Sequence, residues 1–151
     1  MKSKEEIIKI LPEGKNTSKV ETTPRQIMNL FVDAIKEKYP KYFNAFVTET
    51  AKIPEGDNSS ETLSYSFYLV AYIGKGYNYK LFEVVPKRSD SPYPIELILF
   101  ERNPSNEGEF NNENEFSEKL CNFFKSSFFD NVINNLMGQV DLFRESRGEN
   151  K

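Results

Sequence analysis

The chain has 151 residues and a mass of 17.6 kDa, and 20 Lys and Arg set against 23 Asp and Glu leave a net charge of −3. At 38% hydrophobic residues it is too apolar for wholesale disorder and long enough to build one core without disulfides. With no histidine and a single cysteine, Cys121, it lacks the parts for Ser-His-Asp or Cys-His nucleophile pairs, for the usual zinc sites and for an internal disulfide.

Residues 1–22 read as a flexible lead-in with one apolar knot at 7–11, stopped by Pro12 and Gly14. Glu5 and Glu6 interrupt the basic start that a signal peptide needs. No stretch reaches the ~18 apolar residues of a membrane span. The expected location is therefore the cytoplasm, with no membrane partner. A mildly acidic chain also lacks the basic footprint of a nucleic-acid binder.

The pattern predicts a helix over 24–39. Thr23 caps it, Pro24 suits the first helical position, and Gln26 completes a Thr-x-x-Gln capping box. Ile27, Leu30, Phe31, Ala34 and Ile35 form a stripe at 3.6 spacing, and Pro40 ends the run. From Tyr42 the period shifts towards 2, predicting a strand over 43–53 and a loop over 54–60. Two alternating runs, 62–73 and 77–85, flank Gly74-Lys75-Gly76 and read as a hairpin. That turn lacks the Gly-Lys-Ser/Thr and the helix of a phosphate-cradling loop. A fourth strand is expected at 94–101, and short connections favour an antiparallel meander.

Residues 103–115 read as an Asn/Glu/Gly-rich loop. Placing Gly108 at position 6 of a calcium loop puts Asn114 at position 12, where a bidentate Glu is needed, so no calcium site is expected. The last third is helical and carries two apolar stripes. Phe116, Leu120, Phe123 and Phe124 form one, and Phe129, Val132, Ile133, Leu136, Met137, Val140 and Phe143 the other. At about 100° per residue the two would point nearly opposite ways on one helix. A break at Ser126-Ser127 lets both reach one core. The expectation is an α+β fold: an N-terminal helix, a four-stranded antiparallel meander and two C-terminal helices packed on the sheet. It forms a single domain over 23–145, followed by a disordered tail at 146–151.

If Ile73 faces Tyr77 across the turn, then 71 faces 79 and 69 faces 81. The main core face then carries Leu63, Tyr65, Phe67, Leu69, Ala71, Ile73, Tyr79, Leu81 and Val85. The opposite face starts polar with Ser64 and Ser66, then gathers Tyr68, Val70, Tyr72, Phe82 and Val84, with Ile98 and Phe100 from the fourth strand. Such a face needs a cover, either a helix of the same chain or, beyond the chain, a partner protein or the ligand of a concave pocket. Glu83 falls on the core face opposite Phe67 in this register. An apolar setting there would raise its pKa as a general acid requires, with Tyr65 and Tyr79 as donors, whereas a one-residue bulge would turn it outward.

The function expected from these features is binding of another protein, in a toxin-neutralising, chaperone-like or adaptor role, without catalysis, cofactor or metal. The contact residues would be Tyr68, Val70, Tyr72, Phe82, Val84, Ile98 and Phe100, with Glu107 and Glu109 of the acidic loop. One alternative is a ligand-binding or weakly catalytic pocket lined by tyrosines around Glu83. Another is a homodimer through the amide-rich side of the last helix, Asn131, Asn134, Asn135, Gly138 and Gln139.

Overall fold

The computed structural model describes residues 22–52 and 62–148. The apolar knot at 7–11, the loop at 54–60 and the last three residues of the tail lie outside them. The described chain runs as helix α1 (Pro24–Lys38), strands β1 (Phe43–Lys52), β2 (Thr62–Ala71), β3 (Tyr77–Pro86), β4 (Ile95–Phe100) and β5 (Pro104–Phe110), then helices α2 (Glu113–Phe124) and α3 (Ser127–Ser146).

Each helix starts where side-chain chemistry predicts. In α1, Thr23 Oγ1 accepts from Gln26 N at 3.2 Å while Gln26 Oε1 accepts from Thr23 N at 2.9 Å, so two otherwise unpaired donors are satisfied reciprocally. Asn112 caps α2 by accepting from Glu115 N at 3.0 Å, and Glu113 and Glu115 place negative charge at its positive end. Ser126 breaks the last third in two. Its hydroxyl accepts from Phe129 N at 3.2 Å to start α3 and donates to Phe123 O at 2.6 Å to close α2. Phe116, Leu120 and Phe123 of α2 and Phe129, Val132, Ile133 and Val140 of α3 are all buried, so the corner brings both stripes to one core.

The strands form one antiparallel sheet in chain order, β1-β2-β3-β4-β5. The expected four-stranded meander is thus a five-stranded one. The missed strand, β5, lies in the segment expected to be a loop, and most of its residues are exposed. It pairs through its backbone while its side chains meet water, so it carries no apolar alternation.

The β2–β3 register also departs from expectation. Ala71 faces Tyr77 and Leu69 faces Tyr79, so the turn is longer than a three-residue link, and a bulge between Phe67 and Tyr68 shifts the rest by one. Leu81 is the extra residue. Beyond it Phe67 faces Phe82 and Tyr65 faces Val84. Phe82 and Val84, expected on the outer face, therefore join the core, each 0% exposed, and Glu83 turns to the other side.

The helices cover that core face. Phe67 and Phe82 stack at 4.9 Å, Phe124 meets Phe67 edge-on at 5.7 Å, Phe123 meets Phe82 at 5.8 Å, and Phe31 of α1 stacks on Phe124 at 4.7 Å. Seven of the 13 Phe thus interlock as stacked, tilted and edge-on rings: Phe31, Phe67, Phe82, Phe123, Phe124, Phe128 and Phe129. Long-range hydrogen bonds tie the entry of α1 and the residue before β1 to later elements. Thr22 N donates to Glu113 at 3.0 Å, Tyr93 OH donates to Thr22 O at 2.8 Å, and Tyr42 OH donates to Asp141 at 3.0 Å. The Asp141 hydrogen bond, followed by desolvation, raises the Tyr42 phenol above its ordinary range.

Candidate functional site

The side chains of the sheet sort into two faces by the pairing alone. Phe43, Ala45 and Val47 share the helix-covered face with Ala71, Leu69 and Phe67, and with Phe82, Leu99 and Leu97 further along. Every helix–sheet ring contact lies on that side. The other face carries Phe46, Thr48, Tyr68, Val70, Ser66, Lys80, Glu83, Ile98 and Phe100. Among the described residues no helix packs on it.

A row of four side chains crosses this second face. Phe46 stacks on Tyr68, its partner across β1 and β2, with ring centroids 5.0 Å apart and planes 12° from parallel. Tyr68 faces Lys80 on β3, and the Lys80 ammonium sits 4.4 Å above the ring of Phe100 on β4. A cation over an aromatic face is attracted by the ring's quadrupole, and the arrangement fixes a long, flexible side chain. Lys80 Nζ also lies 2.9 Å from Glu83 Oε1, and Glu83 is 5% exposed. In the next row Ser66 faces Glu83, and Glu83 faces Ile98.

The charged end of the face lies across β3 to β5. Lys87 pairs with Glu96 and approaches Glu109 at 3.7 Å, and Asn106 Nδ2 donates to Glu96 at 2.7 Å. These hydrogen bonds, Lys87 first, hold the Glu96 carboxyl below its usual value. The bond to Glu96 is likewise the main cause of a raised Lys87.

The structure thus gathers Tyr68, Val70, Ile98 and Phe100 on one face, as expected, with Glu109 at its margin. Tyr72 lies just beyond β2 at 39% exposure. Phe82 and Val84 belong to the core. Glu107 is turned the other way, accepting from Lys119 of α2 at 2.9 Å, which lowers its pKa. Two members of the row, Phe46 and Lys80, escaped the sequence reading. The signal for Phe46 was present: it falls in phase with Asn44 and Thr48, an aromatic ring on the polar side of β1. Lys80 was in phase too, between Tyr79 and Leu81 of the core face; it is Glu83 beside it that needed the bulge.

The pocket of tyrosines around Glu83 does not form. Tyr65 and Tyr79 sit on the helix side, where burial raises both phenols, and Glu83 lies across the sheet from them. Tyr65 instead lines an open cleft of about 410 Å³ with Leu63, Arg25 and Arg88, and the two arginines are engaged by Glu49 and Asp90. Among the described residues no cluster of three or more His, Cys, Asp or Glu could hold a metal ion, and no helix is long and apolar enough to cross a membrane. Comparison with protein families, curated proteins and solved structures finds no match to this chain.

Proposed function

We propose that the chain is a protein-binding module without catalysis, acting in the cytoplasm through the sheet face that carries Phe46, Tyr68, Lys80 and Phe100. The observation that supports it is the segregation of the helices: all three described helices attach to one side, while aromatic rings are laid across the other. Aromatic residues supply large contact area at little entropic cost, and a lysine held over the Phe100 ring adds a directional polar contact. Glu96 and Glu109 at the margin favour a partner with basic residues beside its apolar ones.

The test is a double substitution, Tyr68→Ser with Phe100→Ser. The reading expects a folded variant, with native circular dichroism and a cooperative melt, that no longer retains from native lysate the protein captured by the unaltered chain. Retention of the same protein by the variant overturns the reading. So does loss of folding, because it would make this face a second core.

A further inference from the structure

The outer edge of β1 carries an inference independent of the proposed face. Tyr72 N donates to Tyr42 O at 3.1 Å, which fixes the phase of the β1–β2 ladder. In an antiparallel pair both peptide groups of a residue point the same way, and the direction alternates along the strand. The N–H and C=O groups of Phe43, Ala45, Val47, Glu49 and Ala51 therefore point away from β2. Phe43 N is used by Tyr39 O at 2.9 Å, and Ala45 N by the side chain of Asn44 at 2.8 Å. The N–H and C=O groups of Val47, Glu49 and Ala51 have no partner among the described residues, and β1 is the end strand of the sheet.

Sheet edges are ordinarily defended. The opposite edge, β5, shows how: Pro104 lacks a donor, Gly108 sits at φ +94°, the pairing with β4 slips between Glu96 and Ile98, and Glu107 and Glu109 add charge. β1 has neither the proline, the glycine nor the slip, and its charges are confined to Glu49, which Arg25 engages, and Lys52 at its end. Its ten residues contain no Pro or Gly, and its register with β2 runs unbroken from Phe43 to Lys52.

We propose that the β1 edge docks the β1 of a second copy of this chain, antiparallel, about a two-fold axis through Thr48. The side-chain pattern is self-complementary in that register. Thr48 meets Thr48, a favourable cross-strand pair, and Phe46 meets Thr50 of the second copy on the same face. Val47 meets Glu49 with outward-pointing N–H and C=O groups on both residues, and Ala45 meets Ala51 with Ala51 N able to donate to Ala45 O while Ala45 N stays with Asn44. No like charges oppose one another, whereas an axis through Glu49 would set that carboxylate against its own copy. The contact is isologous and closes at two subunits, giving one sheet of twice five strands.

Light scattering on the unaltered chain should give twice 17.6 kDa at high concentration. Thr48→Lys, which opposes two ammonium groups, should shift the mass to a single copy while the circular dichroism stays native. In a Cys121→Ser background, Thr48→Cys should form a disulfide-linked dimer on mild oxidation, and Thr50→Cys should not. A single-copy mass at every concentration overturns the proposal. So does a dimer that survives Thr48→Lys and does not cross-link through position 48, which would place the contact elsewhere, such as the amide-rich side of α3.

Discussion

Lys80 and Glu83 form an ion pair at 2.9 Å although they stand three apart on a strand, a spacing that puts side chains on opposite faces. Leu81 reconciles the two facts. As the extra residue of the bulge it turns one alternation back, so Lys80 and Glu83 share the outer face while Leu81 and Phe82 are both fully buried. The Glu83 carboxylate has 7% side-chain exposure and Lys80 30%, so removing the lysine strips a partner from a nearly buried charge. Lys80→Met should cost about 1–2 kcal/mol in urea unfolding, below the full penalty of a deeply buried pair because Lys80 reaches water. An unchanged urea midpoint would show that the pair contributes nothing.

The two faces should answer differently to truncation of their rings. Phe82 touches Phe67, Phe123 and Phe124 in a sealed core, so Phe82→Ala should destabilise by about 3–5 kcal/mol. Phe100→Ala leaves the core intact and should cost about 1 kcal/mol, the scale of a partly exposed ring and one cation–ring contact. Equal losses in chemical denaturation would mean that the faces are equally buried.

The Lys87–Glu96 pair predicts a pH window. The Glu96 carboxyl is held below its usual 4.5, so its contribution is complete above that value and fades as pH falls through the lower folded pKa. Lys87 is held above its usual 10.5, so its contribution is complete below that value and fades as pH rises through the higher folded pKa. The stability difference between the unaltered chain and Glu96→Gln should therefore be flat across neutral pH and shrink in acid. About a quarter of each side chain stays exposed, so water screens the pair and the difference at neutral pH should be about 0.2–1 kcal/mol. A difference that grows in acid would contradict the assignment.

The Ser126 hydroxyl serves two helices at once. Ser126→Ala should cost about 1–2 kcal/mol, towards the upper end of N-cap losses, and Ser126→Gly should cost less, since glycine tolerates the cap backbone. A third variant, Ser126→Asp, separates the cap from the bond to Phe123 O in thermal unfolding: it can accept from Phe129 N but not donate, and should recover most of the loss.

What could be read from the sequence follows from how each element is stabilised. The α1 boundaries were legible because Thr23, Pro24, Gln26 and Pro40 act locally. The corner at Ser126 was legible because Phe124 and Phe129 belong to stripes that one straight helix cannot present together. β5 was hidden because its seven residues, Pro104–Phe110, are held by backbone pairing to β4 and keep polar side chains in water. The outer face was half legible: Tyr68, Val70, Ile98 and Phe100 follow from alternation, whereas Phe82 and Val84 were misplaced by a single extra residue. Period-2 counting carried one sign of the bulge, the carboxylate of Glu83 falling on the core face, but it did not place the extra residue, because Leu81 and Phe82 are both apolar.

The bonds from Thr22 to Glu113 and from Tyr42 to Asp141, with Phe31 resting on Phe124, have a cost during synthesis. The first of these spans 91 residues, and at ~5–20 residues per second a ribosome needs about 5–20 seconds to make them. Through that interval α1 has emerged while the aromatic side of its stripe waits for rings not yet translated. The nascent chain is most exposed to aggregation then, and slowing translation after α1 should lower the yield of correctly folded product more than slowing it after α2.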